Sequence, residues 1–525
     1  MGNEWSRVVG YHHFVDLVLE DPTRLRLPPE LDRRKLELQL TFTDSRIKHE
    51  LLRLKNRRRW IVASDGEEEY ERQVRELEER KTQNLLFEDE RGMWTYSGLR
   101  TEIENIFPGL NFSKEFDYPK FDKLPFRSKP AEGRYYQVDA VEKLLRERHA
   151  SVELATGLGK TWCIERYVHE IGHEALVLAP TRSIAHNIAN TLSDHFFPKA
   201  VGRFFDGKKE FKSHVVVATP QSLVNVEPGS LSWDYLSAPH RKVLVVDESH
   251  MCPTETLAKI CLGRHERGKF IPGLAAGIPY RSFFSGTQLR TDGKELLLEA
   301  SIGPVVAKKS FREGVDEKFL ARPKFYTINV ESTTQPQTDD PMEVTRQHYF
   351  RDGNVARAVA NVANTLLAND YSVLFLLGEL SQFAPILGNL RHSVALAHGS
   401  DGVVNSKARS TKKTPGNVIP KEYLDMEVET EVARFNARES RCLAGTSCIS
   451  VGTDIKPRGP LAVFYLMGMT SEIMFRQAVG RGSRREGKEE FLLFDVRVNN
   501  VEVLRRHHDE RVKLCEQMYE RPQDL

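Results

Sequence analysis

Cysteine is scarce and scattered in this 525-residue chain: Cys163, Cys252, Cys261, Cys442, Cys448 and Cys515, with no Cys-x-x-Cys pair among them. That spacing excludes a disulfide framework and a zinc ribbon, so the thiols are expected to be small buried hydrophobes. Long apolar runs are also missing. No stretch approaches the ~20 residues that cross a bilayer, and no membrane partner is expected. Met1-Gly-Asn-Glu-Trp5 lacks a basic region followed by an apolar core, which makes cytoplasmic residence the expectation. Nor is there an excess of one charge. With 76 Lys and Arg against 74 Asp and Glu, a polyanionic partner would have to be met by local grooves rather than bulk charge. What is present, 40% hydrophobic and 29% charged residues, suits a globular chain with two or three cores.

Residues 1 to 118 differ in texture from the remainder. Arg46, Lys48, His49, Arg53, Lys55, Arg57, Arg58 and Arg59 crowd one stretch. Asp65 to Glu79 then turns acidic, with Tyr70, Val74 and Leu77 at helical spacing. A small α+β accessory domain is expected here. Its basic stretch suits either a nucleic-acid backbone or a solvated helix face paired with the acidic neighbour. Asp117 to Pro130, with three prolines, reads as a linker.

Beyond residue 131 the pattern repeats. Short apolar strands are predicted at Ser151 to Leu154, Ala175 to Leu178, His214 to Ala218, Val243 to Val246 and Ser282 to Phe284, with helix-like stretches between them. Runs apolar throughout suit a parallel sheet buried on both faces, whose ligands gather at the carboxyl ends of its strands. A second series covers Val373 to Leu377, Val394 to Ala397, Arg441 to Ala444, Ala462 to Leu466 and Phe491 to Phe494. The expected organisation is an accessory domain over 1–118, α/β lobes over 119–325 and 326–500, and a helical tail over 501–525. The lobes join near residues 322 to 345, where Glu331 to Pro341 reads as exposed chain. Gly399 to Pro420, polar and basic, reads as a mobile loop.

Three clusters carry chemistry. Leu154-Ala-Thr-Gly-Leu-Gly-Lys-Thr161 is a phosphate loop. Gly157 and Gly159 let the backbone turn its N–H groups toward phosphate oxygens, with Thr156 and Leu158 in the same turn. Lys160 would neutralise the β- and γ-phosphates, and the Thr161 hydroxyl would take a Mg²⁺ position. Leu154 stands where the strict Walker pattern has its first glycine. The second cluster, Asp247-Glu248-Ser249-His250, ends an apolar strand. Asp247 would hold Mg²⁺, and Glu248 would orient and deprotonate the attacking water. The third, Gln477 to Arg484, offers Arg481 and Arg484 three residues apart, on one side of a predicted helix. These arginines belong to the second lobe and the first two clusters to the first, so ATP would sit in the crevice between lobes. Its hydrolysis would open and close that crevice.

The set resembles superfamily 2 helicases and translocases over residues 131 to 500. The resemblance implies two tandem RecA-like P-loop lobes with parallel sheets, ATP and Mg²⁺ as cofactors, and nucleic acid as partner. It matches Arg134 and Gln137 to adenine reading, His250, Ser285 and Thr287 to coupling, Gly452 and Asp454 to motif V, and Gln477, Arg481 and Arg484 to motif VI. Thr181, Arg182, Thr219, Pro220, Gln221, His398, Gly399 and Thr446 match positions that grip nucleic-acid backbone. Arg134 to Gln137, Ile302 to Val305 and Asp352 to Val355 resemble DNA-acting members such as phage UvsW, bacterial RadD and the XPB group. DNA remodelling in recombination, repair or fork processing is therefore expected. The alternatives are an RNA helicase, a switch that clamps nucleic acid without unwinding, and a motor subunit of a defence complex. His12-His13 and His507-His508-Asp509 are read as surface histidines, and no nuclease motif is found.

Overall fold

The computed structural model describes residues 16–122, 127–128, 131–197, 199–266, 269–286, 293–397, 423, 428–446, 455–468 and 470–524. Of the predicted site residues, Thr287, His398, Gly399, Gly452 and Asp454 lie outside the described residues. So do His12, His13, Cys448 and the 399–420 loop.

The first lobe is a seven-stranded parallel sheet. Its order is Val201–Phe204, Val215–Ala218, Ala175–Leu178, Val243–Val246, Tyr280–Ser285, His149–Leu154 and Val305–Lys309. The central strands are buried on both faces because helices cover the sheet on one side and the accessory domain covers part of the other. The second lobe repeats the plan. Ala395–Ala397, Cys442–Gly445, Ser372–Leu377, Leu461–Leu466, Glu490–Val498, Arg322–Val330 and Gln523–Asp524 are all parallel. Two parallel sheets with their helices fit tandem RecA-like P-loop lobes.

Arg322–Val330 is a finding about the joint. Chain expected to lie between the lobes pairs with Glu490–Val498 over nine residues and so belongs to the second sheet. Its buried residues alternate with Arg322, Lys324 and Asn329, a pattern that hides a strand among polar positions.

The accessory domain has a five-stranded mixed sheet ordered Phe87–Asp89, Gly92–Tyr96, Arg24–Arg26, Asp16–Leu19 and Asn111–Lys114. Leu17, Leu25, Trp94 and Leu99 share one buried cluster with Leu176, Val216 and Val246 of the first lobe. Contact is close at Gly98, where a Cβ would collide with the carbonyl oxygen of Ala300.

The tail corrects one expectation. His508 is not a surface residue: it is 3% exposed, because the pitch of helix Glu502–Met518 turns it inward with Leu504, Arg511 and Cys515. Its Nδ1 lies 2.7 Å from Asp495 Oδ2, which also accepts from Arg511 Nε at 2.7 Å. Asp509 remains outside, beside Arg497. The five described cysteines are buried and free, as hydrophobes should be. Among the described residues no helix is long and apolar enough to cross a membrane.

Candidate active site

The phosphate loop forms where strand His149–Leu154 gives way to helix Lys160–Ile171. Gly157 and Gly159 adopt φ of 94° and 83°, the left-handed region that side chains resist, so glycine is the residue the turn can use. Gln137 braces this turn from below. Its Nε2 donates to Leu158 O at 2.9 Å and Gly159 O at 3.3 Å, while its Oε1 accepts from Arg134 N at 2.9 Å. Tyr136 adds a 3.0 Å bond to Leu158 O.

Strand Val243–Val246 delivers the acidic cluster one strand away from the loop, with Tyr280–Ser285 between them. Glu248 takes φ 44°, and its Oε1 lies 3.0 Å from Lys160 Nζ, which also donates to Leu154 O at 3.3 Å. His250 Nδ1 stands 3.4 Å from Glu248 Oε2 and 2.6 Å from Ser285 Oγ. The topology explains that last contact, because Ser285 ends the intervening strand.

These charges share a dry site. Burial raises the Asp247 carboxyl above its ordinary range, the neighbouring Glu248 charge raises it further, and Lys160 only partly compensates. Burial alone would do the same to Glu248, yet Lys160 and His250 together hold that group below its usual value. Two adjacent carboxyls thus differ in character, one raised by burial and one held down by neighbouring cations.

The second lobe closes the site. Gln477 and Arg481 lie on helix Glu472–Gly482, and Arg484 lies just beyond it. The helix predicted to carry both arginines stops at Gly482. Arg484 is fixed instead by a bridge to Leu320, and Ala321 N donates to Ser483 O at 2.6 Å. The lobes meet tightly: a Cβ on Gly480 would collide with Thr156, and one on Gly157 would lie 3.1 Å from Ser483 Oγ. Burial pulls Arg481 down to about 10, with Glu248 opposing, and lowers Arg484.

A cavity of roughly 390 Å³ joins these pieces. Thr156, Gly157, Gly159, Lys160, Thr161, Asp247 and Glu248 line it from the first lobe, with Arg134. Gln477, Arg481 and Arg484 line it from the second. Gln137 and Leu158 do not line it, since both are spent on the loop itself. Asn187, Lys318, Phe319 and Glu486 do, and sequence reasoning missed them. Arg134 lies over the Phe319 ring at 5.0 Å, forming a flat cationic–aromatic wall. Only the fold brings Phe319 there. Among the described residues no group of three His, Cys, Asp or Glu side chains could hold a metal ion. Asp247 and Thr161 nonetheless fit magnesium, which takes one or two protein oxygens and completes its shell with phosphate and water.

Along the same sheet edge, Thr181, Arg182, Thr219 and Gln221 line a second, open cavity of roughly 500 Å³ with Pro180 and Asn225. Thr181 caps helix Arg182–His195, and Arg182 pairs with Asp206 at 3.2 Å. Pro220 begins the next short helix and is buried. Thr446 follows strand Cys442–Gly445 in the second lobe, half-buried.

Residues 131–276 match the family described as type III restriction enzyme, res subunit. Over 394 residues the chain is 23% identical to the DNA 3'-5' translocase XPB2 of Sulfurisphaera tokodaii, an alignment covering 71% of this chain and 83% of that protein. These matches support a likeness to superfamily 2 helicases and translocases. Helicase/translocase homologues of this kind are ATP-hydrolysing nucleic-acid motors. Among solved structures, the chain aligns with UvsW of T4 at TM-score 0.39 and 13% identity, over 97% of this chain and 98% of that one. It aligns with a fragment of a type I restriction HsdR subunit from Vibrio vulnificus at TM-score 0.48 and 16% identity. That alignment covers 71% of this chain and 65% of the fragment.

Proposed function

We propose that this motor is a DNA helicase or translocase that couples hydrolysis of Mg-ATP to movement on, or remodelling of, duplex or branched DNA in recombination, repair or fork processing. One observation carries the proposal: the cavity that holds Lys160 and Glu248 is completed by Gln477, Arg481 and Arg484 from the other lobe. A triphosphate bound there would tie the lobes together, and its loss would release them.

In this reading Gly157 to Thr161 cradle the phosphates, Lys160 neutralises them, and Arg134 with Phe319 flanks the base. Gln137 acts through the loop that it braces. Thr161 and Asp247 hold magnesium, which when bound neutralises the charge between the β- and γ-phosphates. Glu248 aligns and deprotonates water, and Arg481 and Arg484 meet the charge that grows on the departing phosphate. Gly452 and Asp454 keep the nucleotide-binding role inferred from sequence. Ser285 and His250, with Thr287, link the water-activating glutamate to the DNA side. Thr181, Arg182, Thr219, Pro220 and Gln221, together with His398, Gly399 and Thr446 by their sequence match, hold DNA phosphates without reading bases. The accessory domain over 1–118, lobes over 119–325 and 326–500 and a tail over 501–525 remain the working division.

Similarity to a DNA translocase supports DNA over RNA. The restriction-subunit match favours one second reading, a motor subunit whose nuclease is a separate chain. The test is ATPase stimulation by duplex DNA, branched DNA, single strands and RNA, followed by strand displacement. Stimulation strongest with duplex or branched DNA is expected. Stimulation by RNA alone would overturn the DNA assignment.

A further inference from the structure

The accessory domain projects a helical arm. Antiparallel strands Thr41–Thr43 and Thr82–Asn84 form its root. Helices Ser45–Asn56 and Arg58–Asp65 run outward, Gly66 turns the chain at φ 91°, and Glu67–Lys81 returns along both. Ile47, Leu51 and Tyr70 are buried between them. The root is fixed: Asp44 caps the first helix and pairs with buried Lys294 at 2.7 Å, and Lys294 also pairs with Glu255 on the helix that follows the acidic cluster.

The outer face is unusual. Trp60 is 81% exposed, the most exposed of the large hydrophobic side chains described. Arg53 and Arg57 precede it by seven and three residues. Helix Ser45–Asn56 ends and helix Arg58–Asp65 begins at Arg57, whose carbonyl accepts from Trp60 N and Ile61 N, which keeps Arg57 and Trp60 within one turn of each other. Residues 45–65 hold seven Lys and Arg against Glu50 and Asp65. The acidic return helix does not neutralise them. Arg58 pairs across with Glu67, whereas Lys48, Arg53, Lys55, Arg57 and Arg59 are exposed and pair with no carboxylate among the described residues.

We propose that this face binds nucleic acid where bases are unstacked, with Trp60 stacked on a base and Arg53, Arg57 and Arg59 on the flanking phosphates. Unpaired cations select a polyanion. An aromatic face selects bases, and intact duplex hides those, which points to a single-stranded stretch beside a duplex. The exposed cations Arg53, Lys55, Arg57 and Arg59 that precede Trp60 favour a polyanion over a protein surface. The inference rests on the nucleic-acid reading of the motor and adds a contact outside both lobes.

The test uses the full chain and two labelled DNAs, a blunt duplex and the same duplex with a single-stranded tail, in equilibrium anisotropy. Trp60→Ala is expected to weaken binding of the tailed DNA by at least about fivefold and of the blunt DNA far less, with Trp60→Phe retaining most of the affinity. Arg53→Glu with Arg57→Glu is expected to flatten the salt dependence of Kd. Trp60 is exposed, so the fold is not at risk, and matching thermal melts check it. Binding of both DNAs by Trp60→Ala as by wild type overturns the proposal and leaves Trp60 to a protein partner. Equal weakening on both DNAs also overturns it. Wild-type ATPase that no nucleic acid stimulates would instead fail the motor reading itself, which keeps the two failures apart.

Discussion

Lys160 Nζ lies 3.0 Å from Glu248 Oε1 in a site where both side chains are nearly sealed from solvent. Each is the partner of the other's charge. A phosphate arriving in the loop would compete with Glu248 for the lysine, and the freed carboxylate would then be available to water. Binding and activation would then be coupled through one ion pair.

The first prediction uses that competition. Glu248→Gln should abolish turnover and, by releasing Lys160, tighten ATP binding by about tenfold, an order-of-magnitude value for one charge-assisted contact. Lys160→Ala should lose both. Fluorescent-nucleotide titration and phosphate release measure the two effects. ATP affinity that Glu248→Gln leaves unchanged would contradict the coupling.

Asp247 carries a pH signature. Its carboxyl is raised by burial and by Glu248, so the folded protein holds a proton that the unfolded chain releases. Stability therefore falls as pH climbs from the ordinary Asp range toward the raised value. Asp247→Asn removes the cost. It should inactivate the enzyme yet raise Tm by about 2 °C near neutrality, for relief of roughly 1 kcal/mol. The gain should vanish below the ordinary Asp range. Melts across pH decide, and a gain that persists in acid would be wrong for this cause.

Gly480 tests the closeness of the lobes. Because a Cβ there collides with Thr156, Gly480→Ala should wedge the cavity open and lower kcat by at least about tenfold, the scale of a small misplacement of reacting groups. Circular dichroism should remain native. Unaltered turnover would show that the contact is dispensable.

Asp495 tests the tail. Its carboxyl is buried, which alone would raise it, but Arg511 and His508 hold it below the usual range. The stabilisation is present above the ordinary Asp value and is lost as pH falls through the depressed one. Asp495→Asn leaves Arg511 buried without a counter-charge and should cost about 3–5 kcal/mol in urea unfolding at neutral pH, and less in acid.

What was legible in the sequence follows burial. Ala175–Leu178 and Val243–Val246 announce themselves because both faces are covered and every residue is apolar. Val201–Phe204 and Val305–Lys309 stand at sheet edges and carry half-buried or exposed residues, and Arg322–Val330 alternates buried with polar positions, so no apolar run marks them. The phosphate loop and acidic cluster are local patterns and could be read directly. Phe319 and Asn187 have no local signature, because only the tertiary fold brings positions so far apart in the chain into one cavity. His508 was misread because two adjacent histidines look solvated until the helical period assigns one of them inward.

The sharpest measurement is the affinity of Arg481→Ala with Arg484→Ala for ADP combined with aluminium fluoride, which mimics the phosphate in flight, compared with ADP alone. If the second lobe's arginines act on the developing charge, the double variant should lose at least about tenfold for the mimic while its ADP affinity stays within about threefold of wild type. Equal affinity of variant and wild type for the mimic would contradict a catalytic site built across the two lobes.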